Sequence, residues 1–214
     1  MKEPLTIDML LENNLTQLEM FNDCNLMKLL RSNSISDKNV RDNILDYLQI
    51  FSNSFQKIVM QRFISTKKNI FSKIAEKHLQ EEFGHNLILM KNRNDKETPK
   101  DHIIKENSDW FINQMLIADD VSKHILMHLI LETTADLFFK SAYKAFLPYE
   151  KIDYLHLHDE ADEDHSQMGM KQLASIDLSS VEGLIPLFNE GWARVIVICN
   201  RIAEKAIHAE VMYS

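Results

Sequence analysis

The sequence predicts an all-α bundle, and three observations carry that reading. Apolar residues recur at spacings of three and four along nearly the whole chain. The 214 residues include only four glycines and four prolines, too few for an all-β protein built on tight turns. No stretch has the alternating apolar and polar pattern of a strand. Hydrophobic residues make up 45% and charged residues 26%, ordinary values for a globular chain with a sizeable core.

The periodicity defines seven helices. The first covers residues 5–32, with Leu10, Leu11, Leu15, Leu18, Phe21, Leu26, Leu29 and Leu30 as its apolar stripe and a break near Asn22-Asp23. Ser36 then reads as an N-cap with Asp37 in the first turn, opening a second helix over 37–65 that carries Ile44, Leu48, Phe51, Phe55, Ile58, Val59 and Phe63. A third helix spans 68–91, and the polar run NRNDKETPKD (92–101) is the clearest loop. Helices over 101–117 and 119–146 follow, the latter stopping before Pro148. The sixth starts near Pro148-Tyr149 and runs to 174, and the last covers 180–212. No linker is long or polar enough to divide the chain, so residues 1–214 read as a single domain.

Composition excludes several function classes. A formal charge of −8 argues against a broad nucleic-acid surface held by phosphate contacts. Cys24 and Cys199 form no CxxC pair and no disulfide framework, which fits a reducing, cytoplasmic setting. The N-terminus lacks a basic start followed by an apolar core, so no signal peptide is expected, and no apolar run is long enough to span a membrane.

Two segments carry the chemistry. HLQEEFGH (78–85) and HDEADEDH (158–165) both follow the pattern H-x3-[D/E]-x2-H, giving His78, Glu82 and His85, then His158, Asp162 and His165. On a helix, positions i, i+4 and i+7 fall within an arc of about 60°, with their ends about 10 Å apart along the axis. That is too long for three ligands on one small ion. It suits two ions roughly 3.5–4 Å apart, with the carboxylate near the middle and a histidine toward each. Imidazole with carboxylate is the donor set of non-haem iron or manganese, and Glu82-Phe-Gly-His85 has the Glu-x-x-His spacing of di-iron bundles. The bland reading of either segment is a solvated acidic helix. Asp159, Glu160, Glu163 and Asp164 point away from the His158 face and fit that description. The second segment lacks the glycine and glutamate of a calcium loop, and the chain contains no H-E-x-x-H.

Glu132 is the third element. It sits among Leu129, Ile130, Leu131 and Ala135, where a carboxylate is costly unless paired, hydrogen-bonded or metal-bound; an ion pair with a neighbouring helix's Lys or Arg is its structural explanation. His124 and His128 precede it with the spacing of a zinc pair, though two core or surface-edge histidines are the simpler account. Gly84, read as interior to a helix, suggests close packing.

The segment H-x-x-E-E-x-G-H-N, a glutamate on a mid-chain apolar helix and the later H-x3-D-x2-H together resemble the haem-oxygenase-like di-metal oxidases. These are related to the TenA-type thiaminases, the pyrroloquinoline quinone synthase C protein and the chlamydial death-domain-associating protein. LMKLLRSNSISDKNVRDNILDYL (26–48) is similar to that family's first two helices, so the resemblance covers nearly the whole chain. It implies a seven-helix haem-oxygenase-like bundle with a buried pocket and two non-haem iron ions, manganese being the other candidate metal. Glu132, His158, Asp162 and His165 match the family's later ligands. The first motif departs from the usual E-x6-H, because the residue seven before His85 is His78, so the earlier ligands are Glu82 with His85 or His78 with His85. TenA-type chemistry uses a cysteine near Glu132, and none is present there. The resemblance implies an O2-dependent oxidase acting on an unidentified small molecule, or on its own Tyr143, Tyr149 or Tyr154. Bundles of this kind commonly form homodimers through a helix face. Two other functions compete: a metal-free bundle that binds a partner, including a host protein, and a mononuclear site built from the later triplet alone.

Overall fold

The computed structural model describes residues 6–159, 173, 178 and 183–208, and these are helical with no strand among them. In chain order the helices are α1 (Ile7–Asn22), α2 (Asn25–Leu30), α3 (Lys38–Ser65), α4 (Asn69–Glu82), α5 (His85–Asn92), α6 (His102–Ile117), α7 (Asp120–Ile125), a π-helical stretch Leu126–Glu132 leading directly into α8 (Thr133–Phe146), α9 (residues 153–159), and α10 (Leu184–His208). The all-α class holds. Among the described residues the helical segments outnumber the seven expected because two long helices are interrupted.

Starts follow side-chain capping. Asp37, not Ser36, caps α3, accepting from the Asn39 amide at 2.8 Å, and the preceding Asn33–Ser36 forms a short 3-10 turn. Asp101 caps α6 through the Ile104 amide at 3.0 Å, and Asp119 caps α7 through the Val121 and Ser122 amides at 2.9 and 3.0 Å. Each cap satisfies amides that lack an intrahelical partner. The sixth helix begins at residue 153, five residues later than expected; the chain before it turns through Leu147–Tyr149, with the Tyr149 and Glu150 amides bonded to Phe146 O.

α3 is the central helix, packed against α4, α5, α6 and α10. It is therefore buried on more than one face and sends Gln49, Gln56 and Arg62 inward along with Ile44, Leu48, Ile58 and Val59. Phe63, expected in its stripe, is exposed instead. α10 keeps a single apolar face, with Leu184, Phe188, Trp192, Val195, Ile198 and Ile202 spaced by three and four. Fully buried Trp192 meets Phe21 and Phe188 edge to face. At Gly191, α10 crosses the π-helical stretch so closely that a Cβ there would lie 2.8 Å from Ile130 Cδ1 and 2.9 Å from Leu126 Cδ2.

Candidate metal centre

Four of the expected ligand residues are drawn into the interior: His78 is 1% exposed, Glu82 3%, Glu132 3% and His158 4%. Titratable groups are almost never buried so deeply without partners. His85 is half-buried. Asp162 and His165 lie outside the described residues.

The first motif does not ride on one helix. α4 ends at Glu82 and α5 starts at His85, with Gly84 between them at φ +88°. A Cβ on Gly84 would meet nothing within 4 Å, so the glycine is there for its left-handed backbone and not for close packing. The break is held from outside. Gln56 on α3 accepts from the Gly84 amide at 2.9 Å and donates from Nε2 to the Glu82 carbonyl at 2.8 Å. One side-chain amide thus replaces hydrogen bonds that a continuous helix would have made. Gln49, one helical stretch earlier, donates to the Asn86 carbonyl at 3.0 Å and fixes the start of α5 in the same way.

The consequence is that the motif's members turn to different partners. His85 Nδ1 lies 3.2 Å from Glu82 Oε2, and its ring meets that of His158 edge to face at 5.0 Å. Glu82, His85 and His158 each offer a ligand atom, all within 4.8 Å of one another. His78 instead turns its Nε2 to Glu132 Oε1 at 2.9 Å. Burial pushes the Glu82 carboxyl up, and the Glu132 charge adds to this. The hydrogen bond with His85 and the fields of His158 and His78 outweigh both, so the group titrates below its ordinary value.

Glu132 sits where the helix widens. The π-helical turn ends at this residue, and the Thr133 hydroxyl donates to the His128 carbonyl at 2.9 Å while that of Thr134 donates to the Ile130 carbonyl at 2.7 Å. These hydroxyls engage carbonyls of the widened turn, a feature that recurs at functional sites. Among the described residues, the side chain that approaches Glu132 at 2.9 Å is His78.

The residue that sequence reasoning missed stands behind His78. Arg62 is 1% exposed, and its guanidinium lies 3.3 Å from His78 Nδ1, 3.3 Å from His124 Nδ1 and 3.0 Å from His128 Nε2. His124 and His128 are both buried and are not a zinc pair: the cation between them is a guanidinium. Burial pushes Arg62 down to about 10, against the pull of the Glu132 charge.

Glu82, Glu132 and His158 open onto a pocket of about 70 Å³. Its walls are mainly apolar, including Phe51, Phe55, Phe138, Phe139, Ile198 and Ile202. Phe139 stacks on His158 at 4.2 Å between ring centres. Of the three tyrosines noted in the sequence, Tyr154 lines this pocket, its ring 4.7 Å from that of His158 and its hydroxyl 3.1 Å from Ser52 Oγ. Tyr143 stacks on His156, and Tyr149 is half-exposed beneath Arg41. Cys199 also lines the pocket, and its neighbour Cys24 is held down to about 7, chiefly by a hydrogen bond with the Cys199 thiol.

The backbone is similar to the crystal structure of a domain of unknown function with a haem-oxygenase-like fold from Shewanella denitrificans OS217, with a TM-score of 0.71 over 98% of this chain and 95% of that one. The two sequences are 12% identical, so the likeness establishes the fold. No helix among the described residues is long and apolar enough to cross a membrane. No family model matches the sequence. An uncharacterised protein of Rickettsia prowazekii (strain Madrid E), RP592, is 30% identical over 199 residues, covering 92% of this chain and 95% of that one. The chain therefore belongs to the same family as RP592, and it has the haem-oxygenase-like fold.

Proposed function

We propose that this protein is a non-haem di-iron enzyme that uses O2 to oxidise a small molecule with an apolar body. One observation carries the reading. Glu82, His85 and His158 bring two imidazoles and a carboxylate within 4.8 Å of one another, and two of the three line a mainly apolar pocket. The donor set fits the metal: imidazole and carboxylate suit iron, and manganese next. Glu82, His85, His158 and Glu132 would hold it, joined by Asp162 and His165 if the second motif folds as its spacing predicts. Bound iron would supply the redox chemistry with O2.

The chain's own residues would do the rest. The phenylalanine and isoleucine walls exclude water and take up the substrate's hydrocarbon portion by burial of apolar surface. The stack of Phe139 on His158 holds that ring in one orientation. The Gln56 clamp fixes Glu82 and His85 relative to each other. The acceptable substrates are therefore amines, acids or amino-acid derivatives whose chain is largely apolar. The domain proposed to do this is the whole of residues 1–214.

A mononuclear centre is the second reading. It is favoured by the pairing of Glu132 with His78, which leaves a compact set of three around a single position. Anaerobic loading with Fe(II), desalting and metal analysis separate the two. Two irons per chain, lost in Glu82→Ala and His158→Ala, support the di-iron enzyme. One iron per chain supports the mononuclear site. No retained iron in a folded protein overturns both and favours the metal-free partner-binding function.

A further inference from the structure

We infer that Cys24 and Cys199 are a peroxide-reactive thiol pair at the wall of the pocket, closing reversibly to a disulfide that ties α2 to α10. This chemistry needs no bound metal and stands apart from the iron-enzyme reading.

The packing of two helices places the pair. α2 lies against α10, and the Asn25 amide, the first of α2, donates to Asn200 Oδ1 at 2.7 Å. A side chain of α10 thus takes up one of the amides that a helix start leaves unpaired. The residues immediately before these two partners are Cys24 and Cys199, so the same contact that fixes α2 on α10 sets the cysteines beside each other. Both are buried free thiols, and they are the two cysteines of the whole chain. With no third thiol to compete, pairing within one molecule has a single outcome.

The two positions differ in what they offer. Cys199 lines the pocket, together with Leu26 of α2 and Val195, Ile198 and Ile202 of α10. Cys24 sits behind that wall. Its thiol is brought down to about 7, chiefly by interaction with Cys199, whereas Cys199 is pushed up by the same neighbour and by burial. An unequal pair divides the work: a thiolate present at neutral pH attacks, and its protonated partner resolves the product.

The pocket also selects the oxidant. A space of about 70 Å³ admits a molecule the size of hydrogen peroxide and turns away a peptide disulfide. Glu82 and Glu132 on its lining disfavour an anion, and hydrogen peroxide is neutral. In the reaction the Cys24 thiolate attacks one peroxide oxygen and the O–O bond breaks. The departing hydroxide takes up the proton that Cys24 had released and leaves as water, and Cys24 becomes a sulfenic acid. The Cys199 sulfur then attacks the Cys24 sulfur, its proton goes to the departing hydroxyl, and a second water leaves as the S–S bond forms. Two thiols are oxidised and one peroxide is reduced. A dithiol reductant reverses the step by exchange.

The test uses the full chain with a chelator present, so that no metal contributes. The protein is treated with a small excess of hydrogen peroxide at neutral pH and quenched with catalase. Free thiols are then counted after unfolding, and a digest without reductant is read by mass spectrometry. Both thiols are expected to disappear together, a peptide joining Cys24 to Cys199 to appear, and dithiothreitol to restore both thiols. The same treatment in urea should give little of the joined peptide, because the loop to be closed then spans most of a flexible chain. Cys199→Ser should stop at a sulfenic acid on Cys24 that dimedone traps, and Cys24→Ser should leave Cys199 largely unoxidised. Survival of both thiols in the folded wild type overturns the inference. So does oxidation of either cysteine without the joined peptide, or a disulfide formed between molecules instead of within one.

Discussion

Two groups of imidazoles lie side by side in this bundle and differ in what they surround. His85 and His158 close on Glu82 at the wall of a pocket. His78, His124 and His128 close on Arg62, away from it. Histidine can serve either arrangement because it accepts or donates according to its neighbours. A carboxylate among imidazoles makes a place for a cation. A guanidinium among imidazoles has already filled that place, and the cluster becomes a structural plug. The side chain supplied by a neighbouring helix, and not the histidine spacing, separates a candidate site from a core.

The sharpest way to break the comparison is to empty the plug. Arg62→Met should destabilise the protein by about 3–5 kcal/mol, because the buried Glu132 and the three imidazoles lose the cation they face; urea denaturation measures it. Arg62→Lys should recover little, since a single ammonium cannot fork to three rings. Next in size is a crossed pair of variants. His128→Ala should cost about 2–3 kcal/mol through lost contacts and an unsatisfied guanidinium N–H, yet leave Mn(II) uptake intact. His85→Ala should abolish tight Mn(II) binding and hardly move the melting temperature, its side chain being half-buried at the edge of the core. If the two variants behave alike, the distinction between the clusters fails.

Smaller effects probe how the pocket-side cluster is built. Gly84→Ala should cost about 1–2 kcal/mol, all of it from the left-handed backbone, since the added methyl meets nothing; thermal melts with and without Mn(II) would show whether the strain reaches Glu82 and His85. The smallest effect concerns acid. Glu82 titrates below its ordinary value when folded. Its contribution is therefore present above the unfolded value and lost as pH falls through the folded one. Glu82→Gln should flatten that part of the stability–pH curve of the metal-free protein. An unchanged acid limb would mean that the depression is not realised.

Much of the fold was legible because it is local. Apolar residues at three and four placed α3, α6 and the long run through α8 within a few residues of their observed bounds. The Asn22-Asp23 break was visible from its polar pair. The Gly84 break was not, because a lone glycine inside a periodic segment is compatible with a continuous helix. What ends α4 is the Gln56 amide, 28 residues away in sequence from Gly84. Arg62 was hidden for a related reason: an arginine in the last turn of a helix ordinarily complements the dipole at the surface. A trace was present, since Arg62 follows Ile58 and Val59 at four and three residues and so shares their buried stripe.

By itself, then, the amino-acid sequence determined that the chain is helical, that Glu132 is buried on an apolar face and that two histidine-carboxylate motifs are the residues worth following. These are properties of periodicity and polarity along one segment. Which histidine turns toward Glu82, which turns toward Glu132 and which close on Arg62 was decided only by tertiary structure. A hydrogen bond's direction depends on the donor or acceptor that arrives through space, and the guanidinium on α3 reaches the imidazoles only once the helices have packed.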